Sequence, residues 1–329
     1  MSCRDDLPIR QLAINFVQAI CSLNPLIRGD EIVLAMYHHQ PEKVKNILAG
    51  IIRENVSPDA WSWLENVISE TPGRQKIAAF VSMPRKTGHH LVHFTKEQEK
   101  ELNSTRPNFS IHNWTIDRLC RVWLLLHFDP ANKETYIDTI ENLFLAAEMN
   151  ELVALYSSLP LLHYPESWKN RCAEGIRSNI GSVLEAIICN NPYPSEQLSE
   201  AAWNQLVMKA FFTEKPIHQI IGLDQRANPE LASMLSDYAS ERRAAGRPVN
   251  PQLWRCVGPF IDEKKFPGIQ RTFQSADPLE QEAAGLACYN SNYAPAKELL
   301  DQHADLKLKI ASGQVSWDKL ASKLTLQPS

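Results

Sequence analysis

The chain has 329 residues, enough for one or two packed units with a large core, and this length excludes a small disulfide-stapled fold. Apolar residues make up 44% and charged residues 22% of it, with a mean hydropathy of −0.30, so neither a disordered nor a fibrous chain is expected. Its 34 Lys and Arg are outnumbered by 38 Asp and Glu, a balance that argues against general nucleic-acid binding.

The compartment is predicted from the N-terminal segment and the cysteines. The apolar stretch over 12–27 is interrupted by polar residues and predicts an amphipathic helix, not a signal peptide. The longest apolar run, 122–128, is far too short for a membrane helix. Seven cysteines are scattered singly without a CxxC pair, which indicates free thiols in a reducing compartment. We therefore expect a cytoplasmic protein without a transmembrane segment.

The first hundred residues combine helical stripes with one irregular stretch. Helices are predicted over 12–24, 31–39, 42–55 and 59–68. Within 77–94, two apolar runs flank Pro84 to Gly88, and this arrangement predicts a short hairpin or a long loop.

From residue 114 onward, capping residues and apolar periodicity agree more often. Thr115 after Trp114 predicts the start of a helix over 116–127. The strongest pattern is Asn228 as N-cap, Pro229 at the first helical position and Gly246 just past the end. The other helices are predicted near 137–147, 152–159, 168–189 (as one long helix), 203–215, 252–260, 278–289, 294–303 and 317–323.

These elements predict an all-α fold, an irregular HEAT- or ARM-like array resembling an α-solenoid. The 12 glycines against 21 prolines suit helix starts and disfavour phosphate-binding α/β folds. No strict repeat period can be laid over the helices. We divide the chain into an N-terminal region, 1–110, and a second region, 111–329, and expect the two to be continuous because no flexible linker separates them.

Local chemical signatures are weak. His89, His90 and His93 form an HHxxH cluster, but an extended chain would place His90 and His93 on opposite faces, so no metal site is expected. The basic turn at 85–88 lacks the spacing of a P-loop, and neither GxSxG nor HExxH occurs. No cofactor is expected.

Polar residues concentrate between Arg171 and Arg255, near predicted helix ends. They could line one groove and bind a small polar ligand. They could equally cap helices and form interhelical ion pairs. The candidate groove residues are Arg177, Asn179, Asn204, Lys209, Asp224, Arg226, Asp237 and Arg242.

Several short motifs occur in one order: ELVALY at 151–156, AEGIRSN at 173–179, NPYP at 191–194, AWNQ at 202–205 and GLDQRAN at 222–228. Together they resemble the EboA family over about 114–259, with a weaker match through Pro84 and Arg85. The resemblance implies a place in bacterial gene clusters for secondary-metabolite precursors and their export. It also implies partners there, a TIM-barrel metal-dependent hydrolase and a UbiA-like membrane prenyltransferase. It assigns no catalytic residue.

Three functions stay open. The first is a non-catalytic accessory or scaffold that binds a partner enzyme or a small polar metabolite. The second is a metabolic enzyme using Asp224 or Asp237 with Arg177 and Arg226 for acid–base or anion-stabilising chemistry. The third, a membrane-peripheral adaptor, requires an exposed apolar patch ringed by basic residues.

Overall fold

A computed structural model describes residues 41–70 and 73–326 of the chain, and the structural statements below refer to that part. Eighteen α-helices and four short 3-10 turns make up its regular structure. No β-strand forms within the described residues, where isolated β-bridges join only Leu91 to Thr115 and Cys189 to Ile220. The predicted all-α fold class is confirmed. The helices predicted over 12–24 and 31–39 lie outside the described residues.

The helices of the first half are α1 (Pro41–Asn55), α2 (Pro58–Glu70), α3 (Gly73–Thr87), α4 (Lys96–Thr105), α5 (Ile116–Leu125), α6 (Lys133–Ala146), α7 (Met149–Ser158), α8 (Lys169–Ile176) and α9 (Gly181–Ile188). Those of the second half are α10 (Tyr193–Gln197), α11 (Glu200–Phe212), α12 (Pro229–Ala244), α13 (Leu253–Val257), α14 (Phe266–Phe273), α15 (Pro278–Tyr289), α16 (Ala294–Asp301), α17 (Ala304–Ala311) and α18 (Trp317–Leu326). The 3-10 turns are Leu159–Leu161, Pro165–Trp168, Ile217–Gln219 and Gly258–Phe260. None of the described helices is long and apolar enough to cross a membrane.

Two enclosed helices organise the packing. Nine residues of α5 are buried, and the helix packs against α1, α3 and α7. In the second half, α15 packs against α13, α14, α16, α17 and α18. Buried apolar side chains from Val44 to Leu320 form one continuous cluster, so both halves share a hydrophobic core.

Helix starts follow the capping chemistry of the sequence. The Asn228 side-chain oxygen accepts a hydrogen bond from the backbone N–H of Leu231 at 2.9 Å, and Pro229 opens α12. Beyond the end of this helix, Gly246 has a φ of +67°, the left-handed conformation that favours glycine. The predicted bounds of this helix are confirmed.

The single long helix predicted over 168–189 is wrong, because the chain breaks after α8 and turns back as α9. The Ser178 hydroxyl accepts a hydrogen bond from the Ile180 backbone N–H at 3.1 Å, which stabilises the turn. Gly175 permits close packing of the two helices: a Cβ there would lie 2.5 Å from Ile187 Cδ1 and 2.6 Å from the Tyr156 ring.

The hairpin predicted within 77–94 is also wrong. Its first apolar run belongs to α3, where Ala79, Phe80 and Met83 are buried at helical spacing. The helix ends at Thr87, and Gly88 follows with a φ of +85°. Only the stretch after Gly88, up to the start of α4, is a loop.

Gly258 lies very close to the backbone of Ala287 in α15, one of the C-terminal helices. We expect Gly258→Ala to lower the free energy of unfolding by about 1–3 kcal/mol, because overpacking forces the backbone to move. The added Cβ would lie 2.9 Å from both Cα and O of Ala287 in α15. Urea unfolding of the full chain measures the effect.

The matched control is Gly50→Ala in α1, where a Cβ meets no described atom within 4 Å. This variant should gain about 0.5–1 kcal/mol, because alanine loses less backbone entropy in a helix. Equal stability of Gly258→Ala and the unsubstituted chain would contradict the packing described here.

Candidate functional site

One groove of about 790 Å³ opens where turns and helix ends from separate parts of the chain meet. Its lining lies within 106–108 after α4, 159–165 after α7, 192–197 around α10 and 220–226 before α12. Arg255 of α13 and Pro41 at the start of α1 complete it. These segments are mostly loops held on helices, an arrangement that is common for binding sites.

One wall of the groove is apolar and aromatic. Leu159, Leu162, Tyr164 and Tyr193 all line it. The Tyr193 hydroxyl donates a hydrogen bond to the Pro165 carbonyl at 2.5 Å, which fixes α10 to the turn beside it. Tyr164 has a φ of +56°, an uncommon conformation for a residue with a side chain. The Tyr164 hydroxyl donates a hydrogen bond to the Pro130 carbonyl at 2.6 Å, so both tyrosines are held in place by the surrounding structure.

A buried arginine joins three segments of the groove lining. Arg106 Nη1 and Nη2 donate to the two carboxylate oxygens of Glu196 at 2.8 and 2.6 Å. Its Nε donates to the Pro160 carbonyl at 3.0 Å. Because one rigid guanidinium makes all three bonds, the end of α4, the 3-10 turn after α7 and α10 keep fixed relative positions.

The opposite side is the loop before α12. Gly222 has a φ of +80°, and a Cβ there would lie 2.6 Å from Ser195 Cβ, so the loop approaches α10 as only glycine allows. Further along the loop, Asp224 accepts hydrogen bonds from Nε and Nη2 of Arg255, both at 2.6 Å. This pair neutralises both charges at that end of the groove.

Arg226 completes the loop and differs from the other two groove arginines. Its Nη1 donates to the carbonyl oxygens of Pro194 and Ser195, each at 3.1 Å. Its guanidinium carbon lies 4.9 Å from the centre of the buried Trp203 ring, a cation–π contact. It forms no ion pair with a described carboxylate. Burial lowers the pKa of Arg226, because its charge is desolvated without a bonded counter-charge.

His163 is the titratable imidazole of the groove. Burial lowers its pKa below the usual 6.5. The ring lies edge-on to Tyr136, with centroids 5.8 Å apart. At neutral pH a neutral imidazole offers a ligand one donor and one acceptor.

A family model for the metabolite traffic protein EboA matches residues 44–258, well over half of the chain. The chain belongs to the EboA family. The resemblance read from the motifs began near residue 114, whereas the EboA match begins at α1 and ends at Gly258. Every residue of the groove except Pro41 lies inside the EboA match. No curated protein and no solved structure matches the chain.

Of the eight candidate residues, Asp224 and Arg226 line the groove of this EboA-family protein. Asn204 is buried in α11, where its amide exchanges hydrogen bonds with that of Asn228 at 2.8 and 3.3 Å. This pair satisfies two buried amides and joins α11 to the start of α12.

The remaining five candidates lie outside the groove lining. Lys209 Nζ donates to Asn179 at 3.2 Å on the surface. Arg177 and Asp237 are exposed. Arg242 donates from Nε to the Pro248 carbonyl at 2.9 Å, and its guanidinium carbon lies 5.8 Å from the centre of the Tyr238 ring. A role of these five residues in ligand binding stays a prediction.

The groove residues on the other three segments were not among the residues predicted from the sequence. Pro160 and Tyr164–Pro165 had no predicted site role, and NPYP at 191–194 entered only as a motif that resembles the EboA family, although these prolines mark turns that line the groove. Arg106 and Glu196 carried no local pattern, since they are 90 residues apart. Their pairing is visible only in the fold.

The residues proposed for an enzyme are dispersed. Asp224 is bound by Arg255 in the groove, whereas Asp237 and Arg177 are not part of the groove lining. The described thiols are also poor nucleophiles, because burial raises their pKa. They are Cys120, Cys172, Cys189, Cys256 and Cys288.

The histidines of the HHxxH cluster have different partners. His89 Nδ1 lies 2.7 Å from the buried Asp117 carboxylate, and His90 Nε2 lies 2.9 Å from the Asn55 carbonyl. The backbone N–H of His93 donates to Asn55 Oδ1. Within the described part of the chain, no group of three His, Cys, Asp or Glu side chains is placed to hold a metal ion.

The bond between Arg106 and Glu196 can be tested by removing the charge of its acid. We expect Glu196→Gln to lower the free energy of unfolding by about 1–3 kcal/mol, because the Arg106 side chain is only 7% exposed and keeps an uncompensated charge. The control is Glu166→Gln, whose partner Lys133 is 52% exposed, with an expected loss below about 1 kcal/mol. Equal losses in urea unfolding would contradict the role given to Arg106.

The groove also predicts a pH dependence of stability. Because burial lowers the pKa of His163, the unfolded chain binds more protons than the folded chain just below pH 6.5. Stability therefore rises with pH across that interval and is lost as the pH falls towards the folded pKa. Urea unfolding at several pH values should show a shallower slope for His163→Gln, with a residual slope from His127 and His218, whose pKa values burial also lowers. An unchanged slope would contradict the assignment.

Proposed function

We propose that this EboA-family protein is a non-catalytic carrier that binds a small metabolite in the groove and delivers it to a partner enzyme. The observation that carries the proposal is Arg226, a fixed cation in the groove without a bonded acid. The family description, metabolite traffic, supports the same role.

The size and lining of the groove suit a small molecule. Its volume of about 790 Å³ is within the usual range for ligand pockets, about 300–1,000 Å³. Tyr164, Pro107 and Pro165 offer accessible apolar contact over the buried leucines, while Asn108, Gln197 and Arg226 offer hydrogen bonds. A few polar groups against an apolar wall are what fixes the orientation of a bound metabolite.

Binding is favoured over chemistry by the state of the reactive groups in the groove. Both of its acids, Glu196 and Asp224, are held in bidentate pairs with arginines. A general acid or base needs a proton that it can exchange with the substrate. Carboxylates committed to guanidinium groups suit a structural role, so we favour the accessory function over the enzyme built on Asp224 and Asp237.

The proposed partners are the TIM-barrel metal-dependent hydrolase and the UbiA-like prenyltransferase of the gene cluster. In this role the protein is cytoplasmic, and its helical array is a scaffold that presents the loaded groove to one of them. The metabolite would be an intermediate of secondary metabolism.

Native mass spectrometry of the full chain purified from its own cells tests metabolite binding. We expect a retained small molecule, and at least about tenfold lower occupancy in Gln225→Trp, since tenfold corresponds to about 1.4 kcal/mol. Gln225 is an exposed residue of the groove lining, so an indole there fills the space with little effect on the core.

The matched control is Gln205→Trp, an equally exposed position on α11 outside the groove lining. It should retain the metabolite at the original occupancy. Absence of any retained molecule in the unsubstituted protein, or equal loss in both variants, would overturn the carrier role. Delivery is tested separately by co-purification with the two cluster enzymes, and the absence of either complex would overturn that step alone.

A further inference from the structure

The three arginines of the groove use their guanidinium groups differently. Arg106 binds Glu196 through Nη1 and Nη2, and Arg255 binds Asp224 through Nε and Nη2. Arg226 uses Nη1 alone, for two backbone carbonyls. Its Nε and Nη2 make no hydrogen bond with the described residues. Since these two N–H groups form one edge of the guanidinium, a complete side-on edge is left for a ligand.

The same groove shows what this edge can hold. Nε and Nη2 of Arg255 receive the two oxygens of Asp224 at 2.6 Å each, a bidentate bond to a planar carboxylate. Arg226 presents the same pair of donors without the acid. A ligand carboxylate could therefore repeat at Arg226 the geometry that the protein makes at Arg255.

Arg226 is also fixed in position before any ligand arrives. Its two carbonyl bonds orient the plane of the guanidinium, and the Trp203 ring supports it at 4.9 Å. Trp203 is fully buried and so cannot move aside easily. A preorganised cation binds an anion at a lower entropic cost than a flexible one.

The charges of the groove set the charge of the ligand. Arg106 is neutralised by Glu196 and Arg255 by Asp224, so each pair contributes no net charge. Among the lining residues the remaining cation is Arg226, which can balance one negative charge of a ligand, although Glu200, an acid outside the lining, also acts on it electrostatically. A carboxylate carries one, whereas a phosphate monoester approaches two at neutral pH.

We infer that the metabolite carried in the groove has a carboxylate, bound side-on by Nε and Nη2 of Arg226, and an apolar body that packs on the accessible lining residues Tyr164, Pro165 and Pro107. This inference rests on the proposed carrier role and specifies its ligand class. If Arg226 had only a structural role, it would bond the carbonyls of Pro194 and Ser195, and its Nε and Nη2 would bind only water.

The test uses four probes with the same six-carbon chain and different heads: hexanoate, hexyl phosphate, hexanol and hexylamine. Each is titrated into the full-length, ¹⁵N-labelled protein at neutral pH, and the arginine Nε–H resonances are followed by NMR. The Arg226 resonance is assigned by its loss in Arg226→Lys. We expect hexanoate to saturate and to shift this resonance, and the other three probes to bind at least tenfold more weakly.

Affinity for hexanoate should fall about tenfold to hundredfold in Arg226→Lys, because lysine keeps the charge but cannot make the bidentate bond. The matched control is Arg242→Lys, another arginine that bonds a backbone carbonyl and lies over an aromatic ring, but outside the groove lining. It should bind hexanoate as the unsubstituted protein does.

Three results would overturn the inference: equal binding of hexanoate and hexanol, undiminished binding in Arg226→Lys, or stronger binding of hexyl phosphate than of hexanoate. The last would assign a phosphate to the site. If cells yield a retained metabolite without an acid group, the carboxylate is wrong while the carrier role stands. If no metabolite is retained but hexanoate binds at Arg226, the carrier role fails while the anion subsite stands.

Discussion

The Arg106 guanidinium is the contact on which the geometry of the groove depends. It bonds Glu196 on α10 and the Pro160 carbonyl after α7, while its own backbone ends α4. These three segments are distant in sequence and share no regular secondary structure. Removing either charge would leave the other poorly compensated beside the core, so the pair acts more strongly as a constraint than as a source of net stability. With these bonds in place, the end of α4, the turn after α7 and α10 keep fixed relative positions.

Some residues that line the groove adopt uncommon backbone conformations. Tyr164 and Gly222, on opposite sides, both have positive φ values. For Tyr164 this conformation costs free energy that the neighbouring packing must offset. Such strain is typical of functional sites, where loops must aim groups that helices alone would not place. Here the Gly222 turn leads directly to Asp224 and Arg226, and glycine adopts this positive φ without a side-chain clash.

The sequence predicted helices whose first residues include a recognisable capping residue. Asn228, followed by proline, marked the start of α12, because an N-cap needs only its own neighbours. The prediction failed where tertiary packing determines the end of a helix. The apolar stripe over 168–189 is divided between two helices that meet at Gly175. The prediction also missed α4, since Leu102 is the one buried residue of that helix and periodicity was the signal sought. For the site, the loop motif at 222–228 led to Asp224 and Arg226, but polar residues on helix faces, such as Asn204, proved to join helices. A groove assembled from four turns requires the tertiary fold and cannot be read from spacing.

Transport and catalysis place different demands on such a groove. A catalyst must bind the transition state more strongly than the substrate, and acid–base catalysis also needs a group that can exchange a proton. A carrier needs groups that keep their charge, with enough affinity to hold its cargo and enough exposure to release it. Arg226 meets the second description: a guanidinium stays protonated at physiological pH, and this one is fixed by Trp203 yet only half-buried. Deeper burial would strengthen its bond to an anion by lowering the local dielectric constant, but it would also slow the exit of the ligand. The partial exposure of Arg226 therefore suits exchange between proteins better than retention.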